Sequence, residues 1–322
     1  MEQMHQQHHA RATDKLQREL GPDLYGWLQE PDVIEALATG SGDVWLDRLS
    51  RGKARTDLLL SEAQRELIIG TVAAYHGLVV NATHPVLKAE LPLDGGRFQG
   101  MVRPVSAPAF VIRRPFNRII PLTQYVAEGS MTPVQAAVLR EAIEQRQKIL
   151  LAGPTLSGKT VLANTLVDVV LRLHGEGLRT VLIEDTYEMT APPGATNFEH
   201  LHTCDQADLR TLIQTTMRLS PECIIVGEVR GPEAWDLLNV WSTGHGTSVS
   251  TIHADTPLGA LVRLGLLVRQ AGVEVDHELI GSTVNVIATM ERIGANHWRV
   301  RELARCHGWD GQRYVLEPIT ER

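Results

Sequence analysis

The stretch "GPTLSGKT", residues 153–160, matches the pattern G-x-x-x-x-G-K-[ST] at every fixed position. An apolar run, "KILLAG", precedes it and a helical pattern, "KTVLANTLVDVVLRL", follows it. Glycines in such a loop let backbone N–H groups curl around phosphate oxygens at a helix N-terminus. Lys159 can then reach the β- and γ-phosphates, and the Thr160 hydroxyl can bind Mg²⁺. We expect Lys159 to be solvated in the absence of nucleotide. The predicted nucleotide-contacting residues of this segment are Gly153, Pro154, Thr155, Leu156, Ser157, Gly158, Lys159, Thr160 and Val161.

Carboxylates follow two other strand patterns. Glu184 and Asp185 end "RTVLIED", and Glu228 ends "CIIVGEV". Hydrolysis needs carboxylates near the metal and the attacking water, at the carboxyl ends of strands beside the phosphate loop. Glu184 is the first candidate for polarising the water, and Glu228 stays open as the alternative. Glu228 is also predicted to help Thr160 hold Mg²⁺.

Two histidines flank an alternating strand pattern in "STGHGTSVSTIHAD". A neutral ring nitrogen of His245 or His253 could sense the γ-phosphate or orient a water molecule. Structural or solvent-facing histidines remain the alternative on the residues alone. No zinc is expected in this protein, because no third ligand has suitable spacing beside these histidines.

The elements that position these residues fall into two regions. The first third is typical of a mixed α+β domain, with strand patterns "DVWLDRL", "GRFQGMVRPV" and "AFVIRRP" and an Asp-Gly hairpin turn in "LDGGRF". Its clearest helix is "LSEAQRELIIGTVAAYHG". Ser61 is predicted to cap this helix while Gln64 reaches back, and Gly77 is predicted to end it in the left-handed conformation.

We predict an N-terminal α+β domain over residues 1–114, a linker over 115–131 and a P-loop domain over 132–322. Prolines and "EGS" interrupt the regular pattern in the predicted linker. Thr132 and Pro133 then begin a new helix. Beyond it, apolar strand runs alternate with helical patterns. This alternation is typical of an α/β fold with a mainly parallel sheet covered on both faces.

The composition restricts the class of protein. The 322 residues carry a net charge of -7, which argues against nucleic-acid binding as the main task, so no direct DNA binding is expected. The three cysteines have neither disulfide nor zinc spacing, which indicates a reducing compartment.

No signal or membrane-spanning pattern is present. We expect a cytoplasmic protein, with any peripheral association at the inner face of the cytoplasmic membrane made through partners. The N-terminal histidines, His5, His8 and His9, are expected to lie in a frayed polar tail.

Four segments, "GPTLSGKT", "IEDTYEM", "IIVGEVRGPEA" and "GHGTSVSTIHA", occur in an order that resembles the type II/IV secretion traffic ATPases. In that superfamily they are the Walker A, Asp box, Walker B and His box motifs. The segments "LPLDGGRFQGMVRPVSAPAFVIRRP" and "RGPEAWDLLNVWSTGH" are similar to the conjugative-transfer, TrbB-type branch.

This resemblance implies a homo-hexameric ring with N-terminal domains over RecA-like motor domains, using ATP and Mg²⁺. It adds Asp185 and His245 to the nucleotide-contacting residues and His253 to the catalytic ones, beside Lys159, Glu184 and Glu228. Arginines of the N-terminal domain approach the γ-phosphate in related enzymes. Arg97 and Arg113 match them. From the residues alone, both would be interpreted as surface arginines in a pair of strands.

The sequence is thus interpreted as that of an ATP-hydrolysing motor of a type IV secretion or conjugative-transfer system. Its expected partners are inner-membrane and cytoplasmic components of that complex, and its output is pilus assembly or substrate transfer. Three alternatives stay open: a pilus or type II secretion motor of the same superfamily, a non-hydrolysing nucleotide-gated assembly scaffold, and, with less support, a DNA-pumping motor.

Overall fold

The computed structural model describes residues 2–114, 118–186, 188–204, 206–244, 246–294 and 297–320, with the backbone alone for residues 2–9. The chain consists of two compact units. The first comprises Met1–Phe116 and Gly294–Asn296, and the second comprises Asn117–Ile293 and His297–Arg322. Among the described residues, no helix combines the length and the apolar character that crossing a membrane requires.

The first unit is a mixed α+β domain, as the sequence predicts. Its elements are α1 (Glu2–Gln29), β1 (Val33–Ala38), β2 (Asp43–Arg48), β3 (Gly52–Leu59), α2 (Glu62–Tyr75), β4 (Val86–Glu90), β5 (Arg97–Met101) and β6 (Ala109–Arg113). The strands form one sheet in the order β3-β2-β1-β6-β5-β4. Neighbouring strands are antiparallel throughout.

Helix α1 contributes a leucine to the core of this unit at every fourth residue. The four leucines are buried because this spacing places them on one face of the helix; they are Leu16, Leu20, Leu24 and Leu28. The helix bends at Gly21, whose φ of 75° departs from helical geometry just before Pro22. The N-terminal segment that we expected to fray is part of this helix, which begins at Glu2.

Helix α2 has the predicted N-cap and the predicted glycine at its end, but the side chain of Gln64 has a different partner. The Ser61 side chain accepts a hydrogen bond from Gln64 N at 3.2 Å, and Gly77 has a φ of 68°. The Gln64 side chain, however, donates to Glu19 O at 2.9 Å. The predicted reach of Gln64 back to the cap is therefore wrong, because its amide is used to bind the preceding helix instead.

The predicted hairpin is present between β4 and β5. Glu90 pairs with Arg97, and Gly95 has a φ of 73° in the connecting loop. The side chain of Asp94 accepts a hydrogen bond from Gly96 N at 3.0 Å and so stabilises the turn. Asp-Gly thus supplies the turn geometry that the sequence indicates.

The second unit contains an eight-stranded sheet. Its elements are α3 (Leu122–Ala127), α4 (Pro133–Glu144), β7 (Lys148–Ala152), α5 (Lys159–His174), β8 (Thr180–Glu184), β9 (Phe198–His202), α6 (Leu209–Thr216), β10 (Cys223–Val229), α7 (Glu233–Ser242), β11 (Ser248–Ile252), α8 (Pro257–Gln270), α9 (His277–Thr283), β12 (Val286–Gly294), β13 (His297–Trp309) and β14 (Tyr314–Pro318). The strand order is β14-β13-β12-β7-β11-β10-β8-β9. The strands from β12 to β9 are parallel, and β13 and β14 are antiparallel to each other.

Strands β7 and β8 are buried on both faces, which is why they are apolar except at their end residues. In β7, Ile149 and Leu151 pack in a cluster with α4 and α5, whereas Leu150 packs in the opposite cluster with α7 and α8. Helix α4 has the expected start: Thr132 forms a capping box with Gln135, and Pro133 occupies the first turn.

Two features of this unit differ from expectation. The segment 115–131, which we predicted as a linker, contains α3, and Tyr125 of this helix is buried in the core of the second unit. Strand β9 was not predicted, because "NFEHLH" is too polar to resemble a buried strand.

Candidate nucleotide-binding site

The glycine-rich loop lies between β7 and α5, in the predicted context. Gly153 has a φ of 150°, and a Cβ atom there would lie only 2.5 Å from Met290 O. Gly158 is the left-handed N-cap of α5, with a φ of 88°. Both positions require glycine, the first because of close backbone packing and the second because of its conformation. The loop therefore has the backbone form on which phosphate binding depends.

Lys159 is folded into this loop. Its side chain is only 7% exposed, and Nζ donates to Gly153 O at 2.7 Å and to Pro154 O at 2.9 Å. Our expectation of a solvated lysine is therefore wrong, because the loop carbonyls satisfy the ammonium group. A phosphate oxygen would have to replace these carbonyls as the partner of Nζ.

Thr160 has a carboxylate partner that we did not predict. Its Oγ1 lies 3.1 Å from Glu188 Oε2, to which it donates a hydrogen bond. Glu188 belongs to the "IEDTYEM" segment, so its only sequence signal was its place in that motif. A hydroxyl and a carboxylate side by side offer the oxygen ligands that Mg²⁺ prefers.

His253 connects the phosphate loop with Glu228. Its Nδ1 lies 3.2 Å from Gly153 O, and its Nε2 lies 2.7 Å from Glu228 Oε1. The other carboxylate oxygen of Glu228 accepts a hydrogen bond from Arg230 at 2.6 Å, and Arg230 also binds Asp185 at 2.7 Å. The ends of β10, β11 and the phosphate loop are thus joined through charged and polar side chains.

These contacts keep Glu228 ionised. Burial favours its neutral form, but the hydrogen bond from Arg230 and the charges of Arg230, His253 and Lys159 outweigh burial and lower the pKa of Glu228. Arg230 was missed by the sequence reasoning, although it stands two residues after Glu228 in a recognised motif.

Glu184 lies in a different environment. Its side chain is 2% exposed and packs beside Gly227, where a Cβ atom would lie 2.9 Å from Glu184 Cγ. Its carboxylate accepts hydrogen bonds from Met189 N at 3.0 Å and from His200 Nε2 at 2.9 Å. Burial raises the pKa of Glu184, and the hydrogen bond from His200 opposes this without cancelling it.

Of the remaining predicted residues, His245 lies outside the residues that the structure describes. Arg97 and Arg113 belong to the first unit, where they are directly opposite each other on β5 and β6. Opposed residues of an antiparallel pair point to the same face. Each arginine is also opposite a glutamate on its other neighbouring strand, Glu90 for Arg97 and Glu35 for Arg113.

The chain is similar to known proteins over most of its length. The model of the family "Type II/IV secretion system protein" matches residues 27–303. The chain is 40% identical over 310 residues to the "Probable conjugal transfer protein TrbB" of Sinorhizobium fredii, covering 96% of this chain and 94% of that protein. It is also 40% identical over 316 residues to the "Conjugal transfer protein TrbB" of Rhizobium radiobacter, covering 97% and 96%.

A solved structure supports the fold. The X-ray structure of the Legionella pneumophila ATPase DotB matches with a TM-score of 0.60 at 16% identity, over 84% of this chain and 75% of that chain. The two-unit α/β architecture with a RecA-like second unit is therefore confirmed. The chain belongs to the type II/IV secretion system protein family, within the conjugative-transfer branch that its motifs predicted.

Proposed function

We propose that this protein hydrolyses ATP as a motor of a type IV secretion or conjugative-transfer system. The observation that carries the proposal is the chain of contacts from Gly153 through His253 to Glu228. It links the phosphate loop to an ionised carboxylate, so that a change at the γ-phosphate can reach the end of β10. The curated relatives named as conjugal transfer proteins support the choice of system.

The residues present fit Mg²⁺. Thr160, Glu188 and the ionised Glu228 all supply oxygen ligands, which this hard cation prefers. Bound there, Mg²⁺ would neutralise charge on the phosphates. Lys159 would bind phosphate oxygens after leaving the carbonyls of Gly153 and Pro154.

The carboxylate that polarises the attacking water is a choice between two. The sequence favours Glu184, and this stays a prediction. The contacts favour Glu228, because it is ionised and joined to the phosphate loop through His253. Glu184 is buried, and backbone N–H groups and His200 occupy its oxygens. We assign the role to Glu228.

The oligomeric part of the proposal is a homo-hexamer that works with inner-membrane and cytoplasmic components. In it, Arg97 and Arg113 would stabilise charge on the γ-phosphate and couple hydrolysis to movement of the first unit. Their adjacent positions on β5 and β6 would let both guanidinium groups act on one anion. The output would be pilus assembly or substrate transfer.

The primary test is steady-state phosphate release from protein of known oligomeric mass, with Lys159→Ala as the blank. Turnover confined to the ring fraction and absent from the variant would support the motor. Phosphate release from Lys159→Ala at the wild-type rate would refute the site. Rings that bind ATP without turnover above the blank would instead support the nucleotide-gated scaffold.

Arg113→Ala tests the role of the first unit. We expect a far larger loss of turnover than of nucleotide affinity, because the guanidinium would act on the transition state. Arg103→Ala is the matched control, since Arg103 is exposed in the same unit and pairs with Glu62. Equal, large losses in binding and turnover would make Arg113 a ground-state ligand.

A further inference from the structure

Three potential metal ligands meet at the edge of the sheet, on β8 and β9. Parallel pairing places Glu184 opposite His202 and Leu182 opposite His200. Because side chains two residues apart on a strand point to the same face, both histidines lie on one side of β9. One ligand atom from each of Glu184, His200 and His202 lies within 4.8 Å of the other two.

One nitrogen of His200 lies close to ligand atoms of both other residues. His200 Nε2 lies 2.9 Å from Glu184 Oε2 and 3.2 Å from His202 Nε2. An imidazole nitrogen carries either one hydrogen or one lone pair in the ring plane, so it makes one good in-plane hydrogen bond. Here a single nitrogen faces two partners at hydrogen-bonding distance. A cation between the three atoms would accept a lone pair from each of them.

We propose that Glu184, His200 and His202 form a binding site for a divalent transition-metal ion of the Zn²⁺ type. Zinc with ligands at about 2.0–2.1 Å in tetrahedral geometry separates neighbouring ligand atoms by about 3.3 Å. The observed separations of 2.9 and 3.2 Å are close to that value. Two imidazoles and one carboxylate suit zinc and its first-row neighbours, whereas Mg²⁺ prefers a set of oxygen ligands.

The surroundings support the ligands. Backbone N–H groups of Glu188 and Met189 donate to the Glu184 carboxylate and fix its orientation, as outer-shell partners of metal ligands do. The His200 side chain is 23% exposed, so an ion and a water molecule as fourth ligand can reach the site. The bound ion would tie the edge strand β9 to β8.

This proposal departs from the prediction of no zinc, which rested on the spacing of the cysteines and of His245 and His253. The site does not depend on ATP hydrolysis, because neither histidine belongs to the proposed nucleotide site and the water-polarising role is assigned to Glu228 and not to Glu184. Its ligands come together only through the register of β9 on β8.

The test uses the full chain without a histidine tag, stripped with EDTA and titrated with Co²⁺ and Zn²⁺. Four-coordinate Co²⁺ absorbs visible light far more strongly than the hydrated ion, so it reports coordination directly. We expect one Co²⁺ per chain with strong visible absorption, displaced by Zn²⁺. His200→Gln and His202→Gln should each lower Zn²⁺ affinity at least about 10-fold. The triple variant His5→Gln, His8→Gln, His9→Gln is the matched control and should bind as the wild type does.

Thermal unfolding provides a second measurement that does not depend on colour. Zn²⁺ should raise the unfolding midpoint of the wild type and of the triple variant, and much less that of His200→Gln or His202→Gln. If the wild type binds no ion, if both single variants bind as tightly as the wild type, or if binding disappears only in the triple variant, the proposal is wrong. If a single variant fails to fold, the Co²⁺ spectrum of the wild type and of the other variant decides.

Discussion

Two glutamates at the ends of neighbouring strands have opposite environments. Glu228, on β10, contacts His253 and Arg230, and its pKa is lowered. Glu184, on β8, is buried against His200 and two backbone N–H groups, and its pKa is raised. The sequence treats the two alike, as strand-end acids of one sheet. Position in a motif therefore predicts where a carboxylate is, but its neighbours decide what it can do.

The difference follows from the strand order. The phosphate loop follows β7, and β11, which carries His253 just after it, lies between β7 and β10. Strand β8 lies one position farther out, next to the edge strand β9. Glu228 therefore belongs to the centre of the sheet and Glu184 to its edge. Each of the following predictions distinguishes the role of residues at the centre of the sheet from the role of residues at its edge.

The largest effect is expected from replacing each glutamate by glutamine. Glu228→Gln should lower turnover on the order of 100-fold or more with little loss of nucleotide binding, because it removes the ionised group from the phosphate side. Glu184→Gln should lower turnover much less. Single-turnover phosphate release measures both. The reverse order of effects would restore Glu184 as the residue that polarises water and would overturn our assignment.

Variants of His253 test its contacts with Gly153 and Glu228 at the centre of the sheet. Asn places its amide near the position of Nδ1, and Gln places it near the position of Nε2. If contact with Glu228 is the important one, His253→Gln should retain activity and His253→Asn should lose about tenfold, equivalent to about 1.4 kcal/mol. Steady-state turnover at saturating ATP is the measurement. Equal activity in both variants would show that the contact from His253 to Glu228 is not used in turnover.

The two carboxylates should also give opposite pH dependences of stability. The lowered pKa of Glu228 contributes stability that is present above its unfolded pKa of about 4.3 and is lost as the pH falls through the folded value. For Glu184 the sign reverses, because its raised pKa means that the native state loses stability as the pH rises from about 4.3 through the folded value.

Urea unfolding with EDTA present measures this contrast. Relative to the wild type, Glu228→Gln should be destabilised near neutral pH, with the difference shrinking in acid. Glu184→Gln should gain stability relative to the wild type as the pH rises. If the two differences change in the same direction with pH, the two environments are not opposite.

Contiguous motifs explain what was predictable from the sequence. The phosphate loop was found because its glycines, Lys159 and Thr160 occur within eight residues, and the helix caps at Ser61 and Thr132 are equally local. The hydrogen bonds of Lys159 to loop carbonyls were not predictable, because they depend on how the loop closes.

Contacts between residues on different elements of the fold were not predicted from the sequence. The partnership of Thr160 with Glu188 and the contacts of Arg230 require three-dimensional proximity. His200 and His202 lie on a strand whose polar sequence hides it, and they meet Glu184 only through its pairing with β8. Conversely, the antiparallel hairpin of the first unit was predictable because Asp-Gly determines it locally.

The smallest effect is expected where strand β13 supports the phosphate loop. Trp298, on β13, donates from Nε1 to Leu156 O at 2.9 Å, and its ring lies 3.4 Å from where a Gly158 Cβ would be. Trp298→Phe keeps the packing against Gly158 and removes the hydrogen bond, which contributes about 1 kcal/mol. We therefore expect nucleotide affinity to weaken about fivefold, in titrations with a fluorescent ATP analogue.

Trp309→Phe is the matched control for this prediction. Trp309 lies on the same strand, but its ring stacks on His277 at 4.5 Å. Because Trp298 contacts the phosphate loop and not the edge of the sheet, Trp298→Phe should leave Zn²⁺ binding at Glu184, His200 and His202 unchanged. A loss of nucleotide affinity in both tryptophan variants would indicate general loosening of β13. A loss of Zn²⁺ affinity in Trp298→Phe would show that the centre and the edge of the sheet are coupled. The two regions would then not be independent, contrary to what their separate contacts indicate.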